Sequence, residues 1–153
     1  MSILLLALTL ASPAEAISDE ARSSAHLTCS VNVTAFDGRG HQRPARRVSA
    51  AVAPSVVFSG KVSSQEEDAP SLLFDVFNPR GQHYQVLVAT PRVVVKERGG
   101  HRIERTRRVR EASMAVAGSS IAWTSMYGKW RVEPRIEGTN KPCGRAEFFT
   151  IRP

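Results

Sequence analysis

Four histidines, two cysteines and scattered carboxylates are the residues of this 153-residue chain whose types could carry chemistry. His26, His41, His83 and His101 show neither His-x-His nor His-Glu-x-x-His spacing, so no zinc pattern is present. His26 precedes Cys29 by three positions, and that pair could hold a metal only with the thiol reduced. Gly118-Ser119-Ser120 is not the Gly-x-Ser-x-Gly of a nucleophile elbow. Glu66, Glu67 and Asp68 are consecutive on a polar stretch, which reads as solvated surface rather than an acid–base pair. No Gly-rich phosphate loop occurs. The expectation is a protein with no catalytic residues, no metal and no cofactor. Polar groups converging from distant loops remain the one route to an activity.

Charge is the stronger signal. The formal net charge is +7, from 21 Lys and Arg against 14 Asp and Glu, and arginine makes up 17 of the 21. Arg39, Arg43, Arg46 and Arg47 lie together without an acid between them. Residues 92–111 hold Arg92, Lys96, Arg98, Arg102, Arg105, Arg107, Arg108 and Arg110 against Glu97, Glu104 and Glu111, a net +5. Guanidinium is the better bidentate partner for phosphate and carboxylate. On an exported protein such a patch suits anionic glycans, lipopolysaccharide phosphates, an anionic membrane surface or an acidic protein. Charged strand edges that block aggregation produce the same pattern. Trp123 and Tyr127 sit in the stretch before the strand of Trp130. Exposed there, they could stack on a sugar or anchor a protein partner; folded over the end of the domain, they would be structural.

The amino terminus bears on compartment. Ile3 to Leu10 is apolar apart from Thr9, then Pro13 and the Ala14-Glu15-Ala16 step follow. This is the layout of a secretory signal cleaved after Ala16, although no Lys or Arg precedes the apolar run. The run is well short of the roughly 20 residues of a membrane span. Residues 1–16 are therefore expected to be a signal, 17–25 a loose leader and 26–153 one domain, of secreted or periplasmic location and not transmembrane. Loss of Glu15 with the signal raises the charge to +8. In an oxidising compartment Cys29 and Cys143 are expected to pair, and without a Cys-x-x-Cys spacing a redox role is weak.

These groups must be positioned by strands. Leu27, Cys29, Val31 and Val33 alternate with polar residues, a half-buried strand. Phe36 to Arg47 reads as a loop, and Val48 to Val62 as one or two strands broken by Pro54 and Gly60. Leu72–Phe77 and His83–Ala89 flank Asn78-Pro79-Arg80-Gly81, a type I turn. Arg92–Arg98 and His101–Arg110 flank Gly99-Gly100, a two-residue hairpin loop that would set Glu97 opposite Arg102. Ala112–Ala117 reads as a separate short strand. From Gly128, Trp130, Val132 and Ile136 point one way and Arg131, Glu133, Arg135 and Glu137 the other; a turn then leads to a last strand, Arg145–Ile151. No stretch of ten residues has helical periodicity. Seven to nine short antiparallel strands imply an all-β sandwich.

Leu72 to Gly81, Gly128-Lys129-Trp130-Arg131-Val132-Glu133 and Ala146 to Ile151 together resemble bacterial exported immunoglobulin-like modules, a pattern that macroglobulin-like and fibronectin-like sandwiches share. The resemblance covers about 80 residues. It implies an immunoglobulin-like β-sandwich, without the usual cross-sheet cysteine positions, and leaves function open, because sandwiches host many activities. Taken together, the expectation is a non-catalytic binding or structural module of the bacterial envelope. Its partner would be an envelope protein, or an anionic glycan or lipid surface met by the Arg-rich hairpin, and not nucleic acid.

Overall fold

A computed structural model describes residues 27–36, 39–63, 70–98 and 101–153, with the side chains of 92–98 and 101–108 outside the description. The signal and leader segments, His26 and the run Glu66, Glu67, Asp68 therefore lie outside the described residues. Ten strands are described: β1 Cys29–Phe36, β2 Gln42–Pro44, β3 Arg47–Ser49, β4 Ser55–Val62, β5 Leu72–Phe77, β6 His83–Val88, β7 Thr90–Arg98, β8 His101–Ala115, β9 Gly128–Ile136 and β10 Glu147–Arg152. They form two five-stranded sheets, in the orders β2-β1-β4-β8-β7 and β3-β10-β9-β5-β6. With the three-residue strands β2 and β3 set aside, the orders are first-second-sixth-fifth and eighth-seventh-third-fourth. That is the A-B-E-D and G-F-C-C′ arrangement of an immunoglobulin-like sandwich.

Alternation builds the core. In β9, Trp130, Val132, Pro134 and Ile136 face inward and are buried. Phe58 of β4 packs between Phe74 at 5.9 Å and Phe149 at 5.7 Å, and Trp130 stacks on Phe149 at 6.3 Å. Gly60 is glycine because a Cβ there would run into Leu72, Phe74 and the Ser30 carbonyl. The two sheets approach through that gap.

Several local features differ from the sequence expectation. The stretch 36–47 contains β2, and β3 pairs parallel with β10 in an otherwise antiparallel sandwich. Three-residue strands, one ending in Pro44, are too short to show a period. Residues 112–115 are not a separate strand but the end of β8, paired with β4 from Gly60↔Arg110 to Ser55↔Ala115. A four-residue helix, α1 Ser120–Trp123, precedes β9 and is capped by the Ser119 hydroxyl, which accepts from the Ile121 N–H. The turn after β5 forms as expected: the Gly81 N–H donates to the Asn78 carbonyl at 2.9 Å, with Gly81 at φ +76°.

Cys29 and Cys143 form a disulfide with Cα atoms 5.3 Å apart, tying the start of β1 to the loop between β9 and β10. The Cys29 N–H also donates to the Cys143 carbonyl at 2.9 Å. Gly144 permits this approach, since a Cβ there would overlap the Cys29 carbonyl. Among the described residues no helix is long and apolar enough to cross a membrane.

Candidate functional site

The β7–β8 hairpin outgrows the sandwich. Strand β8 has 15 residues, but β4 pairs only with Arg110–Ala115. Among the described residues, 101–109 of β8 pair with β7 alone, in a ladder running from Arg92↔Val109 to Arg98↔His101. At about 3.3 Å per residue, these nine positions project roughly 30 Å as a two-stranded ribbon. The β-branched run Val93-Val94-Val95 and the tight Gly99-Gly100 turn make this segment a hairpin in sequence. Glu97 does pair with Arg102.

Register decides how far the ribbon's charge cancels. Arg92 opposes Val109, Arg108 opposes Val93, Arg107 opposes Val94, and Lys96 opposes Ile103. Arg98 opposes His101, and the register shifts between Val94 and Lys96, across from the stretch 104–106. Among the described pairs of the ribbon, Arg102 is the basic residue that stands opposite an acid, Glu97. Directly opposed opposite charges are the arrangement that neutralises a ladder, and the described register of the ribbon contains one such pair. Arg110 belongs to the body of the sheet instead. It is half-buried, pairs with Gly60 and donates from Nη1 to the Pro70 carbonyl. That position fits the root of the ribbon better than its ligand-facing length.

Beside the root lies an open groove of about 410 Å³, lined by Phe36, Gln42, Val57, Val88, Thr90 and Glu111 among others. Its polar groups are engaged locally. The Gln42 amide donates to Thr34 Oγ1 at 2.6 Å, and Ser59 Oγ donates to the Glu111 carboxylate at 3.3 Å.

The two aromatic candidates separate. Trp123, on α1, is 81% exposed, with Nε1 donating to the Gly118 carbonyl at 3.3 Å. Tyr127 is half-buried against the core, and its hydroxyl donates to the Ala122 carbonyl at 3.4 Å. Of the two, Trp123 is the exposed one. Trp130 is fully buried, with Nε1 donating to the Met126 carbonyl at 3.1 Å and the Tyr84 ring edge-on at 5.1 Å.

One polar cluster was not anticipated from sequence. On the outer face of the second sheet, Asp75 of β5 accepts from Arg135 Nε at 2.6 Å and Nη2 at 3.2 Å. His83 Nε2 lies 3.3 Å from the same carboxylate, and Arg135 Nη1 donates to the Thr139 carbonyl at 2.9 Å. Burial pushes the Asp75 carboxyl up, but the hydrogen bonds and charge of Arg135 and His83 outweigh it and hold it below the usual carboxylate range. The hydrogen bond to Asp75 raises Arg135 in turn. A carboxylate held ionised by a bidentate arginine is a poor proton acceptor. The sequence signal was partial: alternation in Leu72–Phe77 puts Asp75 outward and β9 puts Arg135 outward, but the pairing of β5 with β9 that joins them is not in the pattern. Among the described residues no group of three or more His, Cys, Asp or Glu could hold a metal.

No family model and no curated protein matches this chain. Among solved structures, the chain is similar to an immunoglobulin-like protein of Pseudomonas aeruginosa, at 12% identity and a TM-score of 0.48, over 84% of this chain and 98% of that one. The immunoglobulin-like assignment rests on the strand order of the two sheets.

Proposed function

We propose that the protein is a non-catalytic, exported binding module of the bacterial envelope that engages polyanions through the β7–β8 ribbon. The observation that carries this reading is the ribbon itself: a hairpin of basic sequence in which, among the described residues, 101–109 pair with β7 alone. A chain can neutralise a phosphate- or sulfate-bearing surface with such an arm without a pocket, because the interaction is long-range and tolerant of shape. The ligand class is an anionic glycan or the phosphates of lipopolysaccharide. Retention of the full chain on heparin or lipopolysaccharide should weaken steeply with added salt, as counterion release requires. Replacing Arg102, Arg105, Arg107 and Arg108 by Gln should lower the salt slope by about one for each anionic group no longer neutralised. Retention that is absent, insensitive to salt or unchanged in the quadruple variant would refute it.

Export is part of the same reading and is supported by the disulfide, a bond that persists in oxidising compartments. The mature chain should begin at Ile17, and intact-mass measurement of protein from the producing cell would refute this by finding residues 1–16 retained.

A second reading, a protein partner in the envelope, is favoured by the exposure of Trp123. Its indole is the kind of large amphipathic side chain that anchors interfaces. Capture of an envelope protein should then be lost in Trp123→Ala while polyanion retention persists; capture that survives the substitution would sink this reading.

A further inference from the structure

Register sorts the charge of the β7–β8 ribbon between its two faces. Paired residues of an antiparallel ladder share a face, and successive pairs alternate. The alternation is anchored at the root. Gly60 faces the core, since a Cβ there would meet Leu72 and Phe74, and it pairs with Arg110. The pair Pro91↔Arg110 therefore lies on the core-side face, and Arg92↔Val109 on the face continuous with the outer surface of the first sheet. Val94↔Arg107 is outer in turn, and Val93↔Arg108 core-side. Across the register shift, β7 advances from 94 to 96 and β8 from 107 to 103. Both steps are even, so Lys96↔Ile103 and Arg98↔His101 return to the outer face, and Glu97↔Arg102 falls on the core side.

The two faces differ in kind. Each of the four outer pairs holds a base, and none holds an acid. Arg92, Arg107 and Lys96 are set against Val109, Val94 and Ile103, and Arg98 against His101. The acid of the paired register, Glu97, lies on the core side with Arg102; residues 104–106 fall in the shift and belong to neither set. Charge alone would suit any polyanion. The aliphatic partner in three successive outer pairs narrows the choice, because a free glycan offers anionic groups and hydroxyls and nothing apolar. An anionic bilayer surface presents phosphates just above acyl chains, so base and aliphatic are both matched in one plane. Long basic side chains span that step, with the stem at the apolar level and the charge at the headgroups.

Resting on the polyanion reading of the ribbon, we infer that its partner is an anionic lipid surface, on which the ribbon lies by its outer face. Arg92, Lys96, Arg98 and Arg107 meet the lipid phosphates, and Val94 and Ile103 meet the acyl boundary between them. A two-stranded ribbon suits this task, because it needs no pocket and lies along a plane. The core-side pairs, with Glu97 opposite Arg102, take no part in the contact.

The test is co-sedimentation of the full mature chain with vesicles, beside retention on heparin, with circular dichroism confirming folding. Wild type should bind vesicles of about three parts phosphatidylcholine to one of phosphatidylglycerol, and not phosphatidylcholine alone. A base near an anionic surface contributes a factor of about five. Replacing Arg92, Lys96, Arg98 and Arg107 together by Gln should therefore weaken vesicle binding by more than about a hundredfold, and Arg102→Gln with Arg108→Gln by less than about threefold. Val94→Thr with Ile103→Thr keeps the β-branched shape and should weaken vesicle binding roughly tenfold, while its unchanged heparin retention shows that the ribbon is intact. Heparin retention without binding to the mixed vesicles overturns the inference and leaves the polyanion reading standing; failure on both supports removes both. Vesicle binding that the core-side pair of substitutions weakens as much as the outer four, or that the threonine variant leaves unchanged, also overturns it.

Discussion

Breaking the disulfide between Cys29 and Cys143 is the perturbation whose size follows most directly from the structure. The bond joins residues 114 positions apart, so it closes nearly the whole domain into one loop. In the chain-entropy account, cross-linking a loop of that length removes about 4.8 kcal/mol of unfolded-state entropy at 25 °C. Domains of this size have total stabilities of about 5–15 kcal/mol, so the bond accounts for a large share. What survives its loss is local: the Cys29 N–H to Cys143 carbonyl bond and the Cys143 N–H bond to the Pro134 carbonyl, each 2.9 Å. Neither constrains the unfolded chain. With a urea m-value of about 1.5–2 kcal/mol/M, the double variant Cys29→Ala, Cys143→Ala should unfold at a midpoint roughly 2.5–3 M lower than the oxidised protein, with m larger because the unfolded chain expands. The assay is urea denaturation followed by tryptophan fluorescence, since buried Trp130 becomes exposed. A midpoint shift under about 0.5 M would refute the loop-closure reasoning. Two thiols titrating in the untreated, denatured protein would refute the bond itself.

The remaining predictions test the core and the Asp75 cluster. Because the folded-state pKa of Asp75 is depressed, its contribution to stability is present above the unfolded value and is lost as pH falls through the lower folded value. Thermal melts of wild type should thus lose stability on acidification below about pH 4 more steeply than melts of Asp75→Asn; parallel pH profiles would contradict the cluster. Gly60→Ala should cost about 1–3 kcal/mol by overpacking, because its methyl meets Leu72, Phe74 and the Ser30 carbonyl. An unchanged urea midpoint would show that the sheets have room to part.

Much of the sandwich is legible from period-two alternation because burial imposes it. Trp130, Val132 and Ile136 read as inward in sequence and are inward in the structure. The turn after β5 reads correctly for the same local reason: Gly81, at φ +76°, supplies a conformation that other residues avoid. What escaped the sequence is non-local. Nothing along the chain tells that Asp75 will meet Arg135, 60 residues away, because cross-strand pairing is decided by which strands the sheets bring together. The continuity of β8 escaped because Ala112 and Ser113 interrupt the β-branched pattern, and the partner β4 supplies what propensity does not. Charge clustering at 92–111 could be counted; that it lies on a ribbon outrunning the sheet could not.

The charge of the ribbon bears on its own stability and on the edge it forms. A two-stranded ribbon without a covering layer is marginal in water, and a net charge of +5 over 92–111 adds self-repulsion. It is held at its root, where Gly60↔Arg110 to Ser55↔Ala115 joins β8 to β4 and Arg110 reaches the Pro70 carbonyl. Along its length the same charge repels other strands, which keeps two exposed edges from templating aggregation. The cost of that protection is repulsion that an anionic partner would relieve, so under the proposed function binding a polyanion and stabilising the ribbon would be linked by mass action. The placement of basic residues on the ribbon is therefore the feature on which the proposed polyanion binding rests.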